Sequence, residues 1–175
     1  MKLLFGKEIW RIEETYDEND PNHSDNTHLL LRNHADTSVV MMTDNNEEGM
    51  GWMVMHPLTN EAYEAIKNDT YDDIERFPEK DIIKLENVVG ECSLFIVSYF
   101  IGENYRTTSN IKILIEAYKT ILKKITEMGI VVRRVMGDCG SIEGERLATI
   151  VGLSYVCDTR RESKIYEWVN NKNRD

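Results

Sequence analysis

Five polar residues lie between the most apolar run of the sequence and the apolar positions of its clearest helical pattern, after the short segment 102–105. They read Arg-Thr-Thr-Ser-Asn and occupy positions 106–110. The free N–H groups and the dipole at the start of a helix favour an anion, and a guanidinium has a planar fork of donors that suits phosphate. The candidate phosphate-binding residues are Arg106, Thr107, Thr108, Ser109 and Asn110. The same residues would also suit an ordinary polar turn with a helix cap, and the local sequence leaves both interpretations open.

A strand and a long helix must position this stretch. Residues 91–101, ECSLFIVSYFI, are rich in Val, Ile and aromatic side chains, which is typical of a central strand buried on both faces. Apolar residues recur every three to four positions over 109–128, and this period predicts a helix. Ser109 or Asn110 is expected to cap the helix, and Gly129 to follow its end.

The second half of the sequence continues to alternate between strands and helices. Residues 130–136 predict a second core strand, and residues 141–152 a shorter helix with Ser141 as its cap. Residues 153–168 alternate and predict a pair of strands with a turn near Arg160 and Arg161. The order strand, helix, strand, helix, strand predicts an α/β arrangement.

The first half has shorter elements and no motif that points to chemistry. The predicted elements are a strand or hairpin over 2–16, a polar loop over 17–28, strands over 28–33, 37–43 and 49–57, and a helix that begins after Thr59. Residues 71–90 are mixed, and they could form one helix that breaks before Pro78 with an extended chain after it.

Length, charge and cysteine count exclude several classes of protein. A length of 175 residues predicts a single domain. The net charge of -10 argues against nucleic-acid binding, because an acidic chain repels phosphate backbones. Cys92, Cys139 and Cys157 are odd in number and widely spaced, which predicts neither a disulfide framework nor a zinc site and favours a reducing cytoplasm. No apolar run is long enough to predict a membrane span, and the four histidines show no metal-binding spacing.

Two stretches together resemble the GCN5-related N-acetyltransferase (GNAT) superfamily. YFIGENYRTTSNIKIL (99–114) resembles the strand, turn and helix with the pattern R/Q-x-x-G-x-G/A, and SIEGERLATIVGLSYV (141–156) resembles the later N-x-x-A-x-x-L-Y-x-x-x-G-F segment. The resemblance covers about 91–168. It implies a GNAT-like (acyl-CoA N-acyltransferase) α/β fold, with a central mixed twisted sheet and flanking helices. Residues 1–90 would then be a divergent N-terminal half and 169–175 a tail of the same domain.

The resemblance implies transfer of an acetyl group from acetyl-CoA to an amine on a small molecule or a protein. It implies that the pyrophosphate lies on 106–110, and Ser141 falls at the conserved Asn of the later segment. It implies that the pantetheine pairs with the backbone of a short run of the central strand. The members of that run are Val97, Ser98, Tyr99 and Phe100.

The general base and the general acid are less certain from the pattern. The resemblance suggests a carboxylate that flanks the central strand as the base, which favours Glu91, with Glu103 as an alternative. Tyr155 or Tyr166, in the terminal strands, could supply the acid. Each candidate also has a structural interpretation: a solvated strand end for Glu91, and half-buried packing for the two tyrosines.

Three positions depart from the superfamily's pattern. Ser109 falls at the first glycine, Ile111 at the second Gly or Ala, and Ala148 at the tyrosine often used as acid. These departures favour an alternative function, in which the fold is retained in a structural or interaction protein such as a phage virion component. That alternative predicts a protein partner, self-association and a virion location, and the composition is compatible with a phage or bacterial source.

Overall fold

Seven strands and three α-helices form the described part of the chain. The computed structural model describes residues 1–5, 35–44, 49–72 and 77–171. The strands are β1 (Lys2–Phe5), β2 (Ser38–Met42), β3 (Gly49–Leu58), β4 (Glu91–Ile101), β5 (Val131–Cys139), β6 (Ser154–Asp158) and β7 (Lys164–Val169). The helices are α1 (Asn60–Lys67), α2 (Thr108–Glu127) and α3 (Ile142–Ile150).

The strands form one sheet in the order β1-β2-β3-β4-β5-β7-β6. β4 and β5 are parallel and are joined through α2, whereas β1–β2, β2–β3, β5–β7 and β6–β7 are antiparallel pairs. β7 therefore lies between β5 and β6, because the terminal hairpin folds back onto β5. The predicted α/β class, with a mixed central sheet and flanking helices, is confirmed.

Most of the predicted boundaries agree with the structure, and one cap is wrong. β4 matches the predicted strand over 91–101, β3 continues one residue beyond the predicted end at Pro57, and Ser141 caps α3 through a bond from the Gly144 N–H. The start of α2 differs, since Thr107 caps it and not Ser109 or Asn110: the Asn110 N–H donates to Thr107 Oγ1 at 3.2 Å. The predictions for 6–34 and 73–76 lie outside the described residues.

The described residues divide into two compact units. One comprises Met1–Met55 and Ser98–Lys123, and the other His56–Val97 and Lys124–Asp175. β3, β4 and α2 each contribute residues to both units. The boundaries predicted for a single domain stay a prediction.

In the first unit, β1 and β2 pair over four residues. Leu4 and Met42 are buried together, with Val40 against them. Before β2, the buried Thr37 hydroxyl donates to the Met55 carbonyl at 2.6 Å. This bond fixes the chain that enters β2 against β3.

The core of the second unit lies between α1 and the sheet. Thr59 caps α1, and the apolar side chains Ala62, Tyr63 and Ile66 share one buried face of the helix. They pack on Phe95 of β4 and on residues of the neighbouring strands. The full buried set is Leu58, Ala62, Tyr63, Ile66, Phe95, Met136 and Ile165.

Burial changes along β4. Cys92 to Phe95 are all buried, as expected for a strand covered on both faces. The next four residues, 96–99, are only half-buried, and Phe100 is 39% exposed. The prediction of burial on both faces is therefore correct for the first half of β4 and wrong for the second half.

Candidate functional site

The parallel ladder between β4 and β5 ends before either strand does. Its last register pair is Ile96 with Gly137, although β4 continues to Ile101 and β5 to Cys139. Val97 and Asp138, the next residues, are not partners in the described ladder. A strand that leaves its neighbour keeps backbone groups with which an extended ligand can pair. The four residues predicted to bind pantetheine come directly after Ile96.

In the first unit, close packing fixes the second half of β4. The Trp52 ring stacks on Phe100 with centroids 4.4 Å apart, and its Nε1–H donates to Ser98 Oγ at 3.0 Å. A Cβ on Gly51 would lie 2.5 Å from the Phe100 carbonyl oxygen, so only glycine permits this approach of β3. Burial raises the pKa of Tyr99 to about 12, and its hydroxyl has no hydrogen-bond partner within the described chain.

The turn between β4 and α2 is held by its own hydrogen bonds. Arg106 Nε donates to the Ile101 carbonyl at 3.0 Å, which ties this exposed side chain to the end of the strand. Asn110 Nδ2 donates to the Tyr105 carbonyl at 2.8 Å. Thr107 Oγ1 accepts from the Asn110 N–H, as noted for the cap. Of the five predicted phosphate-binding residues, Thr107 and Asn110 therefore have structural roles in the turn.

The first turn of α2 keeps two backbone donors available. Thr108 and Ser109 are exposed, and within the described residues their N–H groups donate no hydrogen bond. The Ile111 N–H is used, since it donates to the Thr107 carbonyl at 3.0 Å. The Ile111 side chain is half-buried, so a β-branched side chain occupies the position where the superfamily has glycine or alanine.

In the second unit, the predicted acid Tyr166 lies against Ala148. Both are buried in one cluster. The superfamily's pattern has a tyrosine at position 148, and here a tyrosine of β7 lies beside that position. The Tyr166 hydroxyl donates to Glu145 Oε2 at 3.1 Å, and Lys164 Nζ lies 2.9 Å from both Glu145 oxygens. Burial and the bond to Glu145 raise the pKa of Tyr166. The hydrogen bond from Lys164 lowers the pKa of Glu145.

The second predicted acid, Tyr155, packs edge to face on Tyr166 with ring centroids 5.9 Å apart. It is 52% exposed, and burial together with Asp158 raises its pKa. Ser141, predicted to contact the coenzyme, uses its Oγ to accept from the Gly144 N–H at 3.1 Å. Its observed role is therefore that of a helix cap.

Glu91 lies at the first residue of β4, far from the end of the ladder. It is exposed, and Arg133 Nε donates to its Oε2 at 2.6 Å. Five residues of extended strand separate it from Ile96, about 16 Å at 3.3 Å per residue. This geometry fits the solvated strand end that the sequence left open, and the role of Glu91 as general base stays a prediction.

A charged cluster in the second unit had no signal in the sequence. Arg161 lies in the predicted turn, and its guanidinium is 3.2 Å from Asp69 Oδ1 and 3.2 Å from Asp138 Oδ2. The Asp138 side chain is only 5% exposed. The three residues come from the end of α1, the end of β5 and the β6–β7 turn. They are far apart in the sequence, so no local pattern could have connected them.

Among the described helices, none is both long and apolar enough to cross a membrane. In the same part of the chain, no group of three or more His, Cys, Asp or Glu side chains is arranged to hold a metal ion.

Comparison with solved structures assigns the fold. No protein-family model and no curated protein sequence matches this chain. A mosquito arylalkylamine N-acetyltransferase-like 5b aligns with a TM-score of 0.57 at 10% identity, over 97% of this chain and 99% of that one. NAA60 of Arabidopsis thaliana in complex with acetyl-CoA gives 0.54 at 14% identity, over 97% of both chains. An agmatine N-acetyltransferase variant in its apo form gives 0.52 at 12% identity, over 87% of this chain and 84% of that one.

At these identities the likeness is one of fold. It includes the first half of the chain, to which the resemblance in sequence did not extend. The chain therefore has the GNAT-like (acyl-CoA N-acyltransferase) fold.

Proposed function

We propose that this protein transfers an acetyl group from acetyl-CoA to an amine. The observation that carries the proposal is the Arg106 turn, which joins the end of β4 to the two available N–H groups at the start of α2. Backbone groups of β4 beyond the last pair with β5 suit an extended amide-bearing chain such as pantetheine. Donors at a helix start suit a pyrophosphate.

The residues of the turn fit an anion. Among the described residues, Arg106 is anchored through Nε alone, so its two terminal nitrogens remain for an anionic ligand. The N–H groups of Thr108 and Ser109, with their exposed hydroxyls, add neutral donors. Ile111 restricts how closely a ligand can approach this helix start, because its side chain takes space that a glycine would leave open.

The chemistry of the transfer needs two proton movements. The acceptor nitrogen must lose a proton before it attacks the thioester carbonyl carbon, and the leaving thiolate must gain one as the C–S bond breaks. We assign the second proton to Tyr166 or Tyr155, since a tyrosine hydroxyl carries its proton at neutral pH. Tyr166 is favoured because it lies beside Ala148. Glu91 remains the base that the superfamily's pattern suggests.

Ile111 and Ala148 favour a second candidate function. An inactive relative needs neither space for a pyrophosphate at the turn nor the tyrosine of α3. The protein would then act through a protein partner or through self-association, as a structural or interaction component such as one of a phage virion. The two candidates also differ in location, which would be cytoplasmic for the enzyme and virion-associated for the structural protein.

Calorimetric titration with acetyl-CoA separates the two functions. The wild type is expected to bind, and Arg106→Glu to bind at least about tenfold more weakly, since a charge-assisted hydrogen bond contributes about 1.5–3 kcal/mol. Lys119→Glu makes the same change of charge on the exposed face of α2, about 17 Å from Thr108 along the axis at 1.5 Å per residue. It should bind like the wild type.

Two results would contradict the proposal. One is a wild type that does not bind acetyl-CoA at the highest concentration tested, which would leave the structural candidate. The other is equal weakening by Arg106→Glu and Lys119→Glu, because that would show an effect of net charge and not of the turn. Circular dichroism of each variant checks that the fold is retained.

A further inference from the structure

Tyr166 has one polar contact in an otherwise apolar setting. Its side chain packs on Ala148 and Leu153, and the residue is only 9% exposed. Within the described residues, its hydroxyl makes a single hydrogen bond, the one that it donates to Glu145 Oε2 at 3.1 Å. The behaviour of this hydroxyl therefore depends on Glu145 and on the group that holds Glu145.

That group is the side chain of Lys164. Its Nζ lies 2.9 Å from both carboxylate oxygens of Glu145, so two of its three N–H donors are used there. Lys164 precedes Tyr166 by two residues in β7, and alternate residues of a strand share one face of the sheet. Lys164, Glu145 and Tyr166 therefore form one chain of contacts on that face.

This chain of contacts lies where the β4–β5 ladder ends. Tyr166 is the register partner of Gly137, which is the last residue of β5 that pairs with β4. Lys164 is the register partner of Cys139, the last residue of β5. Residues in register on neighbouring strands point to the same face. Lys164 therefore lies beyond the end of the ladder, on the face that carries Tyr166.

Loss of the proton from Tyr166 would place a second negative charge next to Glu145. Burial and Glu145 raise the pKa of Tyr166, whereas Lys164 lowers it. Since Lys164 is bound to the same carboxylate, its charge offsets that of Glu145. An anionic Tyr166 beside Glu145 is thus less unfavourable when Lys164 is present.

The other titratable groups that act on Tyr166 or Lys164 are Cys139, Tyr155 and Asp158. Burial raises the pKa of the Cys139 thiol to about 11, so this group is neutral at pH 7. The Tyr155 hydroxyl is also neutral there. Asp158 is the register partner of Lys164 on β6, but it is exposed and water screens its charge. Glu145 and Lys164 are therefore the principal charges beside Tyr166.

We propose that Lys164 is a positioning residue of the acetyl transfer, which acts through Glu145 and allows Tyr166 to give its proton to the leaving sulfur. The inference rests on the proposed function, in which Tyr166 is the favoured acid. As the thioester C–S bond breaks, the sulfur keeps the electron pair and takes the hydroxyl proton, and the phenolate regains a proton from water. Glu145 fixes the hydroxyl before the reaction, and Lys164 offsets the repulsion between carboxylate and phenolate during it.

The coupling of these charges can be measured without a substrate. A fluorinated tyrosine is more acidic than tyrosine, so ¹⁹F NMR of the protein labelled with difluorotyrosine follows each phenol titration at moderate pH. Tyr166→Phe assigns the resonance of Tyr166. Lys164→Met should raise the pKa of Tyr166, because the charge of Glu145 is then not offset, and Glu145→Gln should lower it. Lys164→Arg keeps the charge and should leave the pKa close to the wild-type value.

Lys119→Met is the matched control for Lys164→Met. It removes a lysine from the exposed pair with Glu116 on α2, and it should leave the pKa of Tyr166 unchanged. The double variant Glu145→Gln/Lys164→Met has the same net charge as the wild-type pair. The pKa of Tyr166 in this double variant should therefore lie between its values in the two single variants.

The effect on the reaction is measured as release of the CoA thiol at saturating acetyl-CoA. Water can take the acetyl group, so this slow hydrolysis requires no known acceptor amine. Lys164→Met should lower kcat for thiol release at least about fivefold, since that factor corresponds to loss of a unit charge about 4 Å from an anion in water. The Kd for acetyl-CoA should stay unchanged. Lys164→Arg and the double variant should restore most of the rate.

Three results would overturn the inference: a pKa of Tyr166 that Lys164→Met leaves unchanged or lowers, an equal rise of this pKa in Lys119→Met, or an unchanged kcat in Lys164→Met. If Lys164→Met does not fold, an unchanged pKa of Tyr166 in Glu145→Gln overturns it. A wild type that binds acetyl-CoA but releases no thiol refutes the role in the reaction. The proposed function fails separately, through the calorimetric titration, and that result does not alter the titration of Tyr166 in the free protein.

Discussion

Replacing Gly51 by alanine would place a methyl group against the backbone of β4. The added Cβ would lie 2.5 Å from the Phe100 carbonyl oxygen and 3.2 Å from the Ile101 Cα, whereas Cβ atoms essentially never approach such atoms within 3.0 Å. β3 and β4 would have to separate locally by about 0.5 Å to reach that limit. Because both contacts are to backbone atoms, no side-chain rotation can relieve them.

The expected cost follows from this geometry. Overpacking of a well-packed region costs about 1–3 kcal/mol, while exchange of glycine for alanine stabilises a compatible site by about 0.4–1 kcal/mol through the unfolded chain. Gly49→Ala is a matched control, since it lies two residues earlier in β3 and its Cβ would meet nothing within 4 Å. The difference in unfolding free energy between the two variants therefore isolates the steric term, expected at about 1–3 kcal/mol.

Urea denaturation followed by circular dichroism measures this difference, and thermal unfolding should show Gly51→Ala melting about 2–12 °C below Gly49→Ala. Acetyl-CoA binding should weaken with it, because Phe100 belongs to the strand segment predicted to pair with pantetheine. Equal stability of the two variants would refute the argument that glycine is required for this approach of β3 to β4. A loss of stability without any change in affinity would refute only the link to the coenzyme.

Three further predictions concern the turn and the tyrosine cluster. Ile111→Ala should tighten acetyl-CoA binding in calorimetry by opening the start of α2, and unchanged or weaker binding would contradict a steric role. Tyr166→Phe should lower kcat about a hundredfold with the coenzyme Kd unchanged. A larger fall of kcat in Tyr155→Phe would assign the role of general acid to Tyr155. The pKa of Glu145 is lowered from 4.5 in the folded state by its bond from Lys164. The Glu145–Lys164 pair therefore stabilises the fold above pH 4.5, and this stabilisation is lost as the pH falls through the lowered pKa. The difference in unfolding free energy between the wild type and Glu145→Gln should become smaller in acid. A difference that stays constant with pH would contradict the pairing.

The elements of the second half could be predicted from the sequence because local physics determines them. The Val- and Ile-rich run of β4 and the helical period of α2 each identified an element within a residue or so of its ends. Ser141 was predicted as a cap from its position before a helix, and it has that role. The cap of α2 was misplaced because Thr107, Ser109 and Asn110 are all good capping residues, and the choice depends on how β4 enters the turn.

The resemblance in sequence led to the correct fold, although it covered only 91–168. The first half has the same fold without a recognisable motif, because sheet pairing and burial constrain residue type only loosely. Residue roles were harder to predict than elements. The alternation of the strand places Glu91 and Ser93 on the same face of β4. It does not show that the pairing of β4 with β5 ends at Ile96, five residues after Glu91.

The sequence by itself determined the α/β class, the main strands and helices, and the polar turn with Arg106 between β4 and α2. These features depend on neighbouring residues, whose periodicity and capping are visible in the chain. Only the tertiary structure decided that Tyr166 lies beside Ala148 and that Arg161 bridges Asp69 and Asp138. Such contacts join residues far apart in the sequence, and they form only when the sheet brings the strands into register and buries the charges between them.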